Sequence, residues 1–415
     1  MNSERPASSA PAEKSTDAKA PGAKSAGLYL QALTLLQGNY FDPAKAKALD
    51  SWKDKYSPAE LANPKTRDKA IKDLTDSLHD PWTVYTSAAD NANHKDLSGT
   101  NIREAGIWVH TNGSSPPDVT TVLPGFPAEN TPIQRGDKLL TVNGVSTKDK
   151  SEDQIEALLE SKIGHHMRLQ YETPDGHKHV TNYTTKEVVD RDSEAKILTA
   201  KSGENALYAS LPDFHLHALQ SFDDAVNKQL KEAHYNNIPM ILDLRGNSGG
   251  TMQAEHYFDS EYLKDGNAFK EVIRDGAGTK TIDFPIDSSL TQTGSPTDLK
   301  RLEYLKNAPL IVLIDDASRS AAESVTASLR ARNRSCTVIG TKSFGKGIFF
   351  NEYPLGDGNL RISDGMVLSP AGENWHGKGL VPDIIVNKNR DRHAADVQLA
   401  AALASIKDLH CKTEN

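Results

Sequence analysis

The hydrophobic pattern divides the chain into three stretches of different period. From Leu28, apolar residues recur at helical spacing (Leu28, Ala32, Leu35, Leu36), and a polar helical stretch runs on to about Leu78. Between about 100 and 187 the period shortens. Five runs read as strands: GIWVHT, DVTTVL, DKLLTVNG, MRLQYET and HVTNYTT. They are separated by turn chemistry such as Asn143-Gly144 and Pro174-Asp175-Gly176. One helix interrupts them, SEDQIEALLESKIG, with Ile155, Leu158 and Leu159 apolar and Gly164 at its end. From about 189 strands alternate with helices: ALYASL, then LQSFDDAVNKQLKEAHY, then PMILDL; APLIVLID, then AAESVTASLRAR, then CTVIG. Such alternation predicts βαβ units and a mainly parallel sheet. Further β pieces end in VPDIIV, and a last helix spans roughly Ala394 to Leu409.

The expected organisation is a tail (1–26), a helical N-terminal region (27–100), a small β-rich domain (101–187), an α/β core (188–388), and a C-terminal helix and tail (389–415). Residues 1–26 are rich in Ser, Ala, Pro and Lys and nearly free of large apolar side chains, so they are read as disordered. They lack the apolar centre of a signal peptide. The 415 residues are 37% hydrophobic and 25% charged, as in an ordinary globular protein. A net charge of −8 argues against nucleic acid as the main partner. No apolar run reaches the ~18 residues of a membrane span. The two cysteines, Cys336 and Cys411, give neither a disulfide framework nor a CxxC metal site; two thiols are expected. His165-His166, His177/His179 and His215/His217 complete no metal spacing, so no metal and no cofactor is expected.

Three short segments carry candidate chemistry. Gly246-Asn247-Ser248-Gly249-Gly250 follows a buried strand and fits G-x-S-x-G, which offers Ser248 as a nucleophile. It equally fits a glycine turn whose backbone N–H groups point into a site. Ser320 stands at a strand-to-helix junction and forms S-x-x-E with Glu323: a capping box, or a nucleophile placed where helix N–H groups stabilise an oxyanion. Gly340 to Lys346 matches a phosphate-binding loop up to its last position, where Gly347 replaces the required Ser or Thr and a strand-like run follows. Lys346 instead lies among Phe344, Ile348, Phe349 and Phe350. An apolar setting lowers a lysine pKa from ~10.4 towards 7 at a cost of roughly 4 kcal/mol and makes it a general base. One helix and one strand separate Ser320 from Lys346, which brings them to adjacent strand ends.

MILDLRGNSGG, SRSAAESVTASLRARNRSCTVIGTKSFGKG and SPAGENWHGKGLVPDIIV together resemble the core of the carboxyl-terminal processing (tail-specific) peptidases. LHDPWTVYTS is similar to their segment before the PDZ domain, and GIWV with VLPGFPAENTPIQRGDKLLTVNGVST resembles the PDZ domain itself. The resemblance implies an α/β protease core with a PDZ-like domain and a helical N-terminal region, acting as a Ser/Lys endopeptidase near protein C-termini. It implies Ser320 as nucleophile, Lys346 as base, and Gly249 and Ala321 as oxyanion donors. Gly106, Ile107, Trp108 and Val109 become the carboxylate-binding loop and strand edge for apolar substrate tails, in a domain that tethers or gates. A cell-envelope, periplasmic or secreted location goes with the resemblance; a cytoplasmic one and homo-oligomerisation stay open. Two departures stand out. The dyad spacing is one residue longer than the family's, and Phe350 occupies the place of its lysine-orienting Gln, with Asn351 adjacent. Phe350 is the argument for a non-catalytic PDZ scaffold; Ser248 with a histidine is the argument for an α/β-hydrolase esterase.

Overall fold

The computed structural model describes residues 21–80, 82–89, 102–103, 105–111, 115–122, 126–150, 152–159, 161–162, 164–186, 193–233, 238–275, 278–287, 289, 296–332, 336–388 and 395–410. Two compact units are present: residues 1–88 with 350–363, and residues 89–349 with 364–415.

In the first unit, helices Pro43–Ala48, Pro58–Leu61 and Pro64–Asp76 each begin at a proline whose preset φ suits a first turn. Asp42, Ser57 and Asn63 accept the orphan amides at their starts. With helix Pro21–Asn39 they bury Tyr29, Leu36, Ile71 and Leu74 against Leu355, Leu360 and Ile362. Val84–Thr86 pairs antiparallel with residues 359–361. Two sequence readings shift here. The first helix starts at Pro21, inside the stretch read as tail, while residues 1–20 lie outside the described residues. Residues 350–363 pack with the N-terminal helices rather than with the core, because Leu355, Leu360 and Ile362 find their apolar partners there.

The second unit holds the β-rich module and the α/β core. The module is a sheet in the order Ile107–His110, Asp118–Val122, Lys138–Val142, His166–Glu172, Lys178–Thr184. Ile107 shares a core with Ile155 and Leu159 of helix Glu152–Leu159. That helix ends five residues before Gly164, because Ser161–Lys162 pairs with Ile102–Arg103 as a short ladder. Leu123 to Gly125 and Cys411 lie outside the described residues.

The core sheet runs Glu194–Thr199, Asn205–Ser210, Met240–Asp243, Leu310–Ile314, Cys336–Gly340, Ile384–Ile385, parallel except for the first pair. Its central strands are apolar up to the terminal Asp243 of Met240–Asp243 because both faces are covered. Met240, Leu242, Leu310, Val312 and Ile314 face one core, shared with helices Leu216–Glu232, Met252–Tyr262 and Ala321–Arg332. Ile241, Ile311, Leu313 and Ile339 face the other, closed by Ala402, Ile406 and Leu409 of helix Val397–His410. An antiparallel hairpin, Asn267–Asp275 with Gly278–Pro285, adds β structure, and residues 270–273 pair with 365–368. The loops leaving Met240–Asp243 and Leu310–Ile314 emerge side by side at the carboxyl ends of the strands, where open α/β sheets bind ligands.

Candidate active site

Asp315 ties these two loops together. Its Oδ1, buried at the end of its strand, accepts the Gly246 amide at 2.9 Å and the Ala317 and Ser318 amides at 3.0 and 3.1 Å. Lys388 Nζ stands 2.5 Å from Oδ2. Burial works against ionisation of Asp315, but the Lys388 ammonium and the amides outweigh it and hold the pKa below the usual carboxylate range. Ser318 Oγ donates to the Leu244 carbonyl at 2.8 Å, Arg319 N–H to the Asn247 carbonyl at 3.1 Å, and Arg319 Nε to the Ser248 carbonyl at 3.0 Å. The glycine-rich turn and the Ser320 turn are thus laced along their length.

Gly249 is glycine for two reasons. Its φ is +86°, and a Cβ there would lie 2.7 Å from Ser320 Cβ and 3.0 Å from the Arg319 carbonyl oxygen. Its N–H donates to Asn247 Oδ1 at 2.8 Å, and its carbonyl accepts from Phe214 N–H at 2.8 Å. Ser248, half-buried, adopts no positive φ. Ser320 does, at +56°, immediately before helix Ala321–Arg332. A left-handed serine costs on the order of 1–3 kcal/mol, and such strain concentrates at functional sites. The sharp strand-to-helix turn that G-x-S-x-G assigns to Ser248 is found at Ser320.

The S-x-x-E pair forms only half of a capping box. Ser320 N–H donates to Glu323 Oε2 at 3.0 Å, but the Glu323 amide goes to the Ser320 carbonyl, at 2.9 Å, so the hydroxyl takes no part in the cap. Glu323 reaches further than a cap requires. Oε2 also accepts the Lys346 amide at 2.7 Å, and Oε1 accepts the Gly345 amide at 2.7 Å and Ser343 Oγ at 2.5 Å. The backbones at Ser320 and Lys346 therefore meet on one carboxylate oxygen. Burial pushes the Glu323 pKa up to about 7 against the pull of these four donors.

The loop of Lys346 is braced from behind by residues 374–380. Trp375 Nε1 donates to the Lys346 carbonyl at 3.1 Å, Asn374 Nδ2 to the Gly347 carbonyl at 2.7 Å, and Gly377 N–H to the Gly345 carbonyl at 2.9 Å. A Cβ at Gly347 would lie 2.7 Å from Asn374 Nδ2, and one at Gly345 2.9 Å from Gly379 N, which is why glycines flank the lysine. The Phe344 amide donates to the Ser318 carbonyl at 3.0 Å, closing the loop onto the serine turn. No phosphate cradle forms here: a strand, Ile348–Leu355, follows Gly347. Phe350 lies with its ring 4.4 Å beneath the Arg361 guanidinium.

The module's sheet edge also reaches the site. The Arg319 guanidinium sits 2.8 Å from the centroid of Trp108, and the Phe344 ring meets Trp108 edge-on at 5.6 Å. Gly106, at φ +73°, leaves room for Phe126, whose Cβ would otherwise be 2.1 Å from an added Cβ. Ile107 is buried, Val109 half-buried, and their strand is an edge of its sheet. The structure brings Gly249, Ser320, Ala321 and Lys346 together and sets Trp108 against the residue before Ser320. Among the predicted histidines, His215 Nδ1 pairs with Asp213 at 2.9 Å. Glu323 had been readable as the partner of Ser320 in S-x-x-E alone; Asn374 and Trp375 stood only inside SPAGENWHGKGLVPDIIV, and nothing in the sequence tied them to residues 347 and 346, or Asp315 to residues 246 and 388, because those partners lie far along the chain.

Over most of its length the chain is similar to known proteins. Peptidase family S41 matches residues 205–386 and the PDZ domain residues 97–172. A carboxyl-terminal-processing protease of Picosynechococcus sp. is 27% identical over 82% of this chain and 79% of its own. The carboxy-terminal processing protease CtpB of Bacillus subtilis is 23% identical over 87% of this chain and 72% of its own. Among solved structures, a photosystem II D1 C-terminal processing protease superposes with a TM-score of 0.74 at 19% identity, covering 92% of this chain and 97% of that one. The chain is a PDZ-bearing serine protease of the carboxyl-terminal processing family, within peptidase family S41.

Proposed function

We propose that this protease cleaves protein substrates near their C-termini with Ser320 as nucleophile and Lys346 as general base. Ser320 Oγ attacks the scissile carbonyl carbon and passes its proton to Lys346 Nζ. The resulting ammonium protonates the leaving amine, and water then resolves the acyl-enzyme by the same route in reverse. The amide of Ala321, at a helix N-terminus, and that of Gly249 serve the oxyanion. Gly249 exchanges its bond to Asn247 Oδ1 for the developing charge. The observation that carries this reading is the left-handed Ser320, held on the same Glu323 oxygen as the backbone of Lys346. Ser320→Ala and Lys346→Ala each abolish hydrolysis of casein, while Ser248→Ala keeps measurable activity. Lys346→Arg is inactive too, since a guanidinium does not give up its proton at working pH. An active Ser320→Ala beside a dead Ser248→Ala assigns the chemistry to the glycine-rich turn instead.

The PDZ domain captures the substrate's terminal carboxylate with the backbone amides of Gly106 to Val109, the peptide adding as a strand beside them and seating apolar tail residues. Supporting this are the edge position of that strand among the described residues and the positive φ of Gly106. Trp108, stacked on Arg319, places this edge against the serine turn, so tail capture and access to Ser320 are coupled. A substrate ending in apolar residues is cleaved faster than the same chain amidated or ending in Asp. The location that accompanies the family resemblance is the cell envelope or beyond it, which fractionation of the producing cells tests. Metal chelators leave the activity unchanged.

A further inference from the structure

We infer that Glu323 is the positioning residue of the dyad: as an anion, its carboxylate fastens the lysine loop to the nucleophile's turn, and protonation weakens that fastening. The inference rests on Ser320 and Lys346 forming the dyad. A glutamate at the third position of a helix needs one acceptor to complete a cap. Glu323 uses both oxygens twice. Oε2 holds the Ser320 and Lys346 amides, and Oε1 holds the Gly345 amide and the Ser343 hydroxyl. The carboxylate is fully buried.

All four groups that face the carboxylate are neutral donors, one from its own turn and three from the lysine loop. The charged residues on those two segments are Asp315, Asp316, Arg319, Lys342 and Lys346; Asp315 and Asp316 pair with Lys388, and residues 374–380 behind the lysine loop add His376 and the exposed Lys378. The Arg319 guanidinium is turned to the Ser248 carbonyl and Trp108, and Lys342 is exposed. A proton on Oε2 takes the place of an amide bond to Ser320 or Lys346; on Oε1, where the Ser343 hydroxyl can turn to accept it, it strips the remaining ties of the charge that strengthens them, so the fastening between the loops weakens. Burial brings this protonation to about pH 7. The lysine must also lose a proton to act as a base. Two deprotonations therefore stand between the acid form and the active form.

The test is log kcat/KM against pH for a fluorogenic peptide with a free C-terminus. The wild-type protein shows a limiting acid slope of two. Glu323→Gln puts an amide nitrogen in front of two donors. It lowers kcat by roughly tenfold or more, leaves KM within about twofold, and reduces the slope to one. A role confined to folding would change the melting temperature and leave the slope at two. A wild-type slope of one, a variant within twofold of wild-type kcat, or a variant with slope two overturns the inference. If Glu323→Gln does not fold, the wild-type slope decides alone. Ser320→Ala and Lys346→Ala in the same series separate the two ideas. Activity in either sinks the dyad, whereas both dead beside an unimpaired Glu323→Gln sinks only the role of Glu323.

Discussion

Replacing Gly249 with alanine should injure catalysis far more than it injures the fold, and a second glycine makes the comparison quantitative. Two penalties act at Gly249. Its φ of +86° is left-handed, which costs an L-residue about 1–2 kcal/mol. Its new methyl would also lie 2.7 Å from Ser320 Cβ, where carbon atoms prefer about 3.5–4.0 Å. The Arg319 carbonyl at 3.0 Å and the Ala321 amide at 3.3 Å block the other escape directions. The serine turn must therefore retreat by about 1 Å, and a misplacement of that size costs about a hundredfold in rate. Gly203 supplies the control. Its φ is +97° and nothing lies within 4 Å of its Cβ position, so Gly203→Ala carries the backbone penalty alone.

The expected outcome is a loss of about 1–2 kcal/mol in stability for Gly203→Ala with kcat/KM within about twofold of wild type. Gly249→Ala loses about 2–4 kcal/mol, and its kcat/KM falls about a hundredfold. Urea unfolding and initial rates on one fluorogenic peptide read both quantities. Gly249→Ala retaining activity within threefold would show that the serine turn does not depend on this close approach. Equal rate losses in the two variants would show the same.

Other substitutions test the buried charges around the site. Burial, reinforced by Glu271 and opposed by the Ser324 hydroxyl, raises the Glu255 pKa to about 8. A raised carboxyl favours folding fully below its unfolded value of ~4.5 and loses that contribution as pH climbs to about 8. Glu255→Gln should therefore match wild type near pH 5 and exceed it in urea unfolding at pH 8.5 by up to about 4 kcal/mol; no gain at high pH refutes the buried neutral carboxyl. Asp315 titrates in the opposite sense: its lowered pKa stabilises the fold above the ordinary Asp range, and the contribution fades as pH falls through the native value. Lys388→Met should cost about 1–2 kcal/mol at pH 7, since the lysine is partly exposed, and the difference from wild type should shrink in acid. A constant difference from pH 3 to pH 7 would rule out that pairing as the cause.

What the sequence discloses here depends on how local the cause is. The central strands are legible because burial on both faces makes LIVLI apolar at every position and MILD apolar up to its terminal Asp243. Hairpin 267–285 is less so, since Gly278–Pro285 is mostly exposed and only Ile282 and Phe284 alternate inward. The serine, the lysine and the glycine turn can be picked out because chemistry demands particular residue types at particular points of a strand or loop. The groups that hold them in place are another matter. Glu323 joins residues 320, 343, 345 and 346; Asp315 joins 246 and 388; Trp375 grips 346. Only the Ser320–Glu323 tie follows a local spacing, the S-x-x-E of a capping box; the others join residues far apart in the chain, so no period reports them. One consequence concerns Phe350. The sequence alone makes the absence of glutamine an argument against a working lysine. In the fold, the backbone on either side of Lys346 is already fixed by Glu323, Trp375 and Asn374, so side-chain help from residue 350 is one support among several rather than the condition for activity. Phe350→Gln should then change kcat by no more than a few fold, and a gain of a hundredfold would show that these backbone ties do not suffice.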